Sequence, residues 1–173
     1  DYAGRILIPL NESSLREAGK KLLDQGVESV VVHFLHAYAN PEHELRAAEV
    51  LAEFWPNEYI TTGHSLLSES REFERGVTAA VNAAVQPILK RYINKLDSEL
   101  EAEGYAGELL VMNGNGGTVS AKRVVREAAK TVMSGPASGV IAAAYTGTAA
   151  GRPNLITYDM GGTSTDVALI RGG

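Results

Sequence analysis

Residues 27–35 (VESVVVHFL) are apolar almost without interruption, where a half-exposed strand would alternate. Such a strand needs cover on both faces, as in a parallel sheet that lies between helices. Helical segments with apolar residues at every third or fourth position precede and follow it. Strands that alternate with helices in this way predict an α/β fold, with helices flanking a mostly parallel sheet.

Capping residues, glycines and prolines set the expected boundaries of the elements. The predicted strands are 5–10, 27–35, 58–62, 108–112, 155–158 and 166–170. The predicted helices run from Asn11 or Ser14 to Gly26, from Asn40 to Phe54, from Phe73 to Glu103, from Ala121 to Lys130 and from Ala137 to Thr146. Pro87 falls inside the third of these helices, where we expect it to kink or restart the helix.

Composition excludes several classes of protein. The 173 residues carry a formal net charge of −5, which argues mildly against a nucleic-acid surface. No apolar run approaches the ~20 residues of a membrane helix, so we expect no membrane span. The absence of cysteine excludes a disulfide scaffold, a thiolate zinc site and a cysteine nucleophile. The chain opens at Asp1 without an initiator methionine, which favours a piece of a longer protein.

The strongest chemical signal is the segment Asp159–Asp166 (DMGGTSTD), which lies between the last two predicted strands. Adjacent glycines let the backbone turn sharply and present consecutive N–H groups to an anion. The hydroxyls of Thr163, Ser164 and Thr165 can donate to phosphate oxygens. Asp159 can hold Mg²⁺, usually through water, and the metal neutralises phosphate charge. The segment therefore predicts a phosphate cradle.

A tight β-hairpin with a polar turn is the alternative for this segment. The segment Asp159–Asp166 contains neither the G-x-x-x-x-G-K of a Walker loop nor a G-x-G-x-x-G dinucleotide fingerprint. Two acids and three hydroxyls around one turn are unusual in a purely structural hairpin, so we favour the cradle.

Three further features each have two interpretations. Ser134–Gly139 opens a helix of small residues that either lets another backbone approach closely or is simply buried. The loop Asn113–Gly117 follows a strand directly and is either a ligand loop or a plain connector. The four histidines fit no zinc pattern, and a structural role is favoured for each; His64, just before a cluster of charged residues, is the one most open to a substrate-facing role.

Two stretches near the end, GPASGVIAAAY and NLITYDMGGTSTDVALI, resemble the joint between the lobes of the actin, sugar-kinase and heat-shock ATPase superfamily. More narrowly, the segments HAYANPEHE, REFERGVTAAVNAAVQPILKRY, LLVMNGNGG, SGPASGV and DMGGTSTDVALI together resemble the hydantoinase A/5-oxoprolinase family. The resemblance covers nearly the whole chain in order.

The resemblance implies an ATP-dependent enzyme that opens a cyclic amide, with ketone carboxylases of the acetone and acetophenone type as relatives. It implies ribonuclease-H-like lobes, ATP and Mg²⁺ as cofactors, a cytoplasmic location, and either a partner subunit of the hydantoinase B type or a homo-oligomer. Asp159, Gly161, Gly162, Thr163 and Asp166 take the place of the second phosphate loop, with Asp159 as the catalytic and metal-binding residue. With Thr165, these are the predicted site residues.

The chain also departs from the family pattern. The family's first phosphate loop, of the D-x-G-G-T type, has no counterpart in residues 1–10, and the adenosine segment would follow residue 173. We therefore expect an internal fragment, inactive alone, with the end of the first lobe at 1–117 and the start of the second at 118–173. Where family members commonly read MQSNGG, residues 112–117 read MNGNGG, which leaves a lactam and a ketone substrate both open. A non-catalytic phosphate-binding module is the rival class.

Overall fold

The computed structural model describes all 173 residues, and helices alternate with strands along the chain. The helices are α1 (Glu12–Asp24), α2 (Glu42–Ala52), α3 (Gly63–Leu66), α4 (Glu72–Ala102), α5 (Ala121–Val124) and α6 (Ser134–Ala149), with a 3₁₀ turn at Ala128–Thr131. The strands are β1 (Val30–Val32), β2 (Ile60–Thr62), β3 (Leu110–Met112), β4 (Thr118–Ser120), β5 (Leu155–Met160) and β6 (Thr165–Ile170). The α/β class is therefore confirmed.

The chain divides into two compact units. Unit 1 comprises Asp1–Leu96 and Glu127–Ala129, and unit 2 comprises Asp97–Arg126 and Lys130–Gly173. The N–H of Ala129 donates to Oδ1 of Asn82 at 3.0 Å, and this hydrogen bond links the segment Glu127–Ala129 to the rest of unit 1. The division predicted after Gly117 concerns two ATPase lobes, and it stays a prediction.

Unit 1 is built around the parallel pair β1–β2, in which Val30 lies opposite Ile60 and Val32 opposite Thr62. Helix α1 begins where the sequence predicts, because Oδ1 of Asn11 accepts from the N–H of Ser14 at 3.0 Å. Helix α2 packs on the strands, and the buried core consists of Val30, Val32, Ala47, Leu51 and Trp55. Burial of these apolar side chains is the main stabilising contribution to this unit.

The prediction of a mostly parallel sheet is wrong. Only β1–β2 is parallel, whereas β3–β4 and β5–β6 are separate antiparallel pairs in unit 2. The physical reason is the length of the connections: residues 113–117 and 161–164 join their strands directly. A parallel pair needs a crossover of a dozen or more residues, so connections this short allow only hairpins.

Two strand predictions near the start of the chain need correction. Residues 5–10 form no strand, because no other segment pairs with them. The apolar run 27–35 is a strand only at Val30–Val32, over the three residues that pair with β2. Apolar character alone therefore overestimates strand length where the partner strand is short.

Helix α4 runs through Pro87 for 31 residues without interruption, so the proline does not restart the helix. Proline has no N–H to donate to the carbonyl four residues earlier, which is that of Ala83. The hydroxyl of Ser29 donates to the Ala83 oxygen at 2.9 Å and satisfies it instead. None of the helices, α4 included, combines the length and apolar character needed to cross a bilayer.

Candidate functional site

The predicted phosphate segment is the hairpin of β5 and β6. The strands reach Met160 and Thr165, so only residues 161–164 form the turn. The N–H of Gly161 donates to the Ser164 oxygen at 2.9 Å and closes the turn. One of the N–H groups of the expected cradle is thus already used within the hairpin.

Two carboxylates lie directly across this hairpin. Asp159 pairs with Asp166, so both side chains project from the same face of the two strands. They line a cavity of about 600 Å³ in unit 2, together with residues from the first half of α6 and with Gly114. Facing like charges are destabilising in an antiparallel pair, and a cation between them relieves that repulsion. This pair is therefore a candidate cation site.

Helix α6 packs on the face that carries the two carboxylates. A Cβ atom on Gly147 would overlap Cδ1 of Leu155 and would lie 2.8 Å from the Arg152 oxygen, so only glycine lets the helix pack this closely there. At Gly139 a Cβ would meet Oδ2 of Asp159 at 3.8 Å, an ordinary contact. Close approach of α6 therefore depends on Gly147, whereas Gly135 and Gly139 leave room for a side chain, and the early turns of the helix lie beside Asp159.

The structure brings together two of the six predicted site residues. Gly161, Gly162 and Thr163 lie in the exposed turn and do not line the cavity. Thr165 is opposite Met160, on the other face of the hairpin. The phosphate-binding role of these four residues, like the roles of Asp159 and Asp166, stays a prediction.

The other face of the hairpin is apolar and exposed. Its large side chains are between 60% and 74% exposed: Ile156, Tyr158, Met160, Val167 and Leu169. Cross-strand neighbours share a face, so these side chains form one continuous surface.

The loop Asn113–Gly117 is the turn of the β3–β4 hairpin. The N–H of Asn113 donates to the Gly117 oxygen at 2.7 Å, and Gly116 has a φ of 85°, which favours glycine. The N–H of Gly114 donates to the Lys130 oxygen at 2.7 Å, which holds the loop at the edge of the cavity. The loop is thus a structural turn that also contributes one residue to the cavity wall.

A second polar cluster lies in unit 1; sequence reasoning selects His64 from it but misses Glu44. Glu44 on α2 is fully buried. Its Oε1 accepts from the N–H of Phe34 at 2.8 Å, and its Oε2 accepts from the N–H of His64 at 2.8 Å. Nδ1 of His64 lies 2.7 Å from the same Oε2. Three hydrogen bonds therefore hold one buried carboxylate.

Two further side chains complete this cluster. Nδ1 of His33 lies 3.7 Å from Oε1 of Glu44 and is buried without a hydrogen-bond partner. The fully buried Arg75 donates from Nη1 to the Glu69 oxygen at 2.6 Å and from Nη2 to the Phe34 oxygen at 3.2 Å. The backbone N–H of Phe34 thus donates to the carboxylate of Glu44, and its carbonyl oxygen accepts from the guanidinium of Arg75.

The chain is similar in sequence to proteins of one known family. The profile of the family described as hydantoinase/oxoprolinase matches residues 75–173, and that of the hydantoinase/oxoprolinase N-terminal region matches residues 1–55. The acetophenone carboxylase gamma subunit of Aromatoleum aromaticum is 34% identical over 98% of this chain and 24% of its own length.

Two solved structures are similar over almost the whole chain. Nucleotide-free acetone carboxylase, from a study of ATP-dependent acetone carboxylation, has a TM-score of 0.85 and 33% identity over 99% of this chain. The ATP-dependent caprolactamase of Pseudomonas jessenii has a TM-score of 0.81 and 31% identity over 96% of it. The chain spans 24% of each of those two chains.

Proposed function

The chain belongs to the hydantoinase/oxoprolinase family, and we propose that it forms part of an ATP-dependent enzyme that opens a cyclic amide. The relatives named above include an ATP-dependent caprolactamase, which supports a lactam substrate. In this proposal residues 1–117 form the end of the first and residues 118–173 the start of the second of two ribonuclease-H-like, actin-type ATPase lobes, and the enzyme works in the cytoplasm.

One observation carries the nucleotide part of the proposal: Asp159 and Asp166 face each other beside a cavity of about 600 Å³. Carboxylate oxygens are the ligands that Mg²⁺ prefers, and Mg²⁺ keeps further positions for water and phosphate. The donor set therefore fits a Mg²⁺·ATP site. Bound there, the ion would neutralise charge on the phosphates and on the γ-phosphoryl group during transfer.

The residues of the chain have separate roles in this proposal. Asp159 and Asp166 hold the cation, directly or through water, and the hydroxyl of Thr163 in the turn donates to a phosphate oxygen. Thr165 projects from the opposite face of the hairpin and has no role at the cation in this proposal. Gly161 and Gly162 leave the turn without side chains, so that a phosphate can approach its backbone. Phosphorylation of the amide oxygen then makes the amide carbon a better electrophile.

A ketone carboxylase is the second candidate. The acetophenone carboxylase gamma subunit and acetone carboxylase are as similar to this chain as the caprolactamase is. Since the acetophenone relative is named as a subunit, we propose that this enzyme too works with a partner subunit. Substrate-stimulated ATP hydrolysis by the whole enzyme, with lactams and ketones supplied in parallel, separates the two reactions.

The test of the nucleotide site is Asp159→Asn in the whole enzyme. We expect ATP hydrolysis to be lost while the fold is retained, because Asp159 is exposed and its loss removes a facing like charge. Asp24→Asn, at an exposed position in α1, is the matched control and should be active. Chelation of Mg²⁺ should weaken ATP binding to the unsubstituted enzyme. Near-normal turnover by the Asp159→Asn variant would refute the assignment, and metal-independent binding would favour a non-catalytic module.

A further inference from the structure

We propose that His64 is an acid–base residue at the substrate site, and that Glu44 is the residue that positions it. This inference rests on the proposed cyclic-amide reaction. It concerns unit 1 and none of the residues assigned to the nucleotide.

The first argument is topological. His33 follows β1 directly, and Gly63 and His64 follow β2 directly. The two strands are parallel, so these residues lie at the carboxyl ends of neighbouring strands. In α/β sheets, this is the edge at which ligands bind.

The second argument is the orientation of the imidazole. Nδ1 of His64 lies 2.7 Å from a carboxylate oxygen that can only accept, so Nδ1 carries the proton. In the neutral tautomer that this contact selects, the lone pair is on Nε2. Nε2 makes no hydrogen bond within the chain and is not among the buried atoms that lack a partner. The side chain is 18% exposed, so a base is held in one tautomer and presented outward.

The third argument is the cost of burying Glu44. A fully buried carboxylate is unfavourable unless hydrogen bonds compensate it. Two of its three bonds fix the backbone at the ends of β1 and β2, and the third fixes the ring of His64. A plain structural cap needs only the backbone bonds. The third bond has the same form as the carboxylate–histidine pairs that orient catalytic bases.

A cavity and further ionisable side chains lie close to Glu44 and His64. Phe34 and Glu44 also line a cavity of about 490 Å³ within unit 1, large enough for a small cyclic amide. The ring of His64 does not line this cavity itself and borders it through its bond to Glu44. The ionisable groups that share this corner are Glu44 on α2, His33 after β1 and Arg75 on α4. A Cβ on Gly63 would lie 2.6 Å from Nδ1 of His33, so the glycine lets that ring pack against the end of β2.

The chemistry follows from this placement. On a cyclic amide already phosphorylated at oxygen, Nε2 of His64 takes a proton from the attacking water, so an O–H bond breaks as the C–O bond forms. The C=N electron pair moves onto the ring nitrogen, which takes that proton from the imidazolium. The remaining hydroxyl proton then passes through the same imidazole to the nitrogen as the C–N bond breaks and the C=O bond forms. The product is an amine and an acyl phosphate, which a second water hydrolyses to carboxylate and phosphate.

The kinetic test compares His64→Asn, Glu44→Gln and the unsubstituted whole enzyme, with caprolactam, 5-oxoproline and hydantoin as substrates. We expect His64→Asn to lower kcat by about 10²–10⁴-fold and to remove the acid limb of the pH profile. Glu44→Gln should lower kcat by about 10–100-fold with little change in KM. Glu49→Gln is the control, because Glu49 is an exposed residue of the same helix as Glu44 and bonds only Arg46.

A second measurement does not depend on turnover. Diethyl pyrocarbonate modifies unprotonated imidazole nitrogens, and mass spectrometry gives the rate at each histidine. We expect His64 to react faster than the other three histidines, and Glu44→Gln to slow it, because the amide can donate to Nδ1 and leave the proton on Nε2.

The two measurements separate the possible failures. If none of the amides stimulates ATP hydrolysis by the unsubstituted enzyme, the proposed reaction is wrong, and the modification rates alone decide whether His64 is a presented base. A normal kcat and pH profile in His64→Asn overturns the inference. So does a modification rate at His64 that is no faster than at the other histidines.

Discussion

Removal of the Glu44 carboxylate should destabilise the protein strongly. In Glu44→Ala the N–H groups of Phe34 and His64 both lose their acceptor. A partly buried donor left without a partner costs about 1–3 kcal/mol, so the two together cost about 2–6 kcal/mol. Loss of one member of a buried charged hydrogen-bonded pair costs about 3–5 kcal/mol, and we expect Glu44→Ala to fall in that interval.

Glu44→Gln removes the negative charge of the side chain and keeps its shape, so it separates the effects of the two. The amide keeps one oxygen, which can accept from Phe34 or from His64 but not from both at their present positions. One donor then faces the amide NH₂, so the expected cost is about 1–3 kcal/mol. The variant should therefore remain folded, and where its NH₂ faces His64 the imidazole loses the acceptor for its Nδ1 proton.

The assay is urea unfolding of the purified enzyme, followed by a probe in unit 1 such as the fluorescence of Trp55, which is the only tryptophan. Glu49→Ala is the matched control, because Glu49 is also on α2 but is exposed and bonds only Arg46. The control should change stability by less than about 0.5 kcal/mol. If Glu44→Ala costs no more than this control, the buried carboxylate does not organise the ends of β1 and β2.

Two further predictions concern packing and acid. Gly147→Ala should destabilise unit 2, because its Cβ would overlap Leu155, whereas Gly139→Ala should raise helix stability by up to about 1 kcal/mol; thermal unfolding of both variants checks the contrast. The hydrogen bond from Arg46 lowers the pKa of Glu12 below its ordinary value, so this pair stabilises the fold above that ordinary value and ceases to do so as the pH falls through the lowered pKa. Acid unfolding of Glu12→Gln should therefore show a smaller loss between neutral and acid pH, and an unchanged loss would refute this account.

The sequence predicts local elements well and their pairing poorly. The cap at Asn11 and the strands on either side of the glycine turn lie within two residues of their predicted positions. The parallel pairing is wrong for unit 2, although the short connection at 113–117 was visible in the sequence and signals a hairpin. The helix through Pro87 depends on Ser29, 58 positions earlier, which no local pattern indicates.

The two candidate sites also differ in what a sequence can reveal. Asp159 and Asp166 lie in one eight-residue motif, and the hairpin register brings them together. Glu44, His33 and His64 come from three separate elements. One signal was present: Glu44 is three and seven positions before Ala47 and Leu51, so it lies on the buried stripe of α2. An acid on an apolar stripe indicates a buried partner without identifying it.

This difference decides how each site responds to substitution. Asp159 is exposed and lies directly across the hairpin from the like charge of Asp166, so its loss should remove function and spare the fold. Glu44 is fully buried and holds two backbone segments as well as His64, so its loss should reduce stability and function together. Activity alone cannot assign a role to Glu44. Stability, kcat and the reactivity of His64 must be measured on the same variant, because only the last two separate the positioning of a base from the support of a fold.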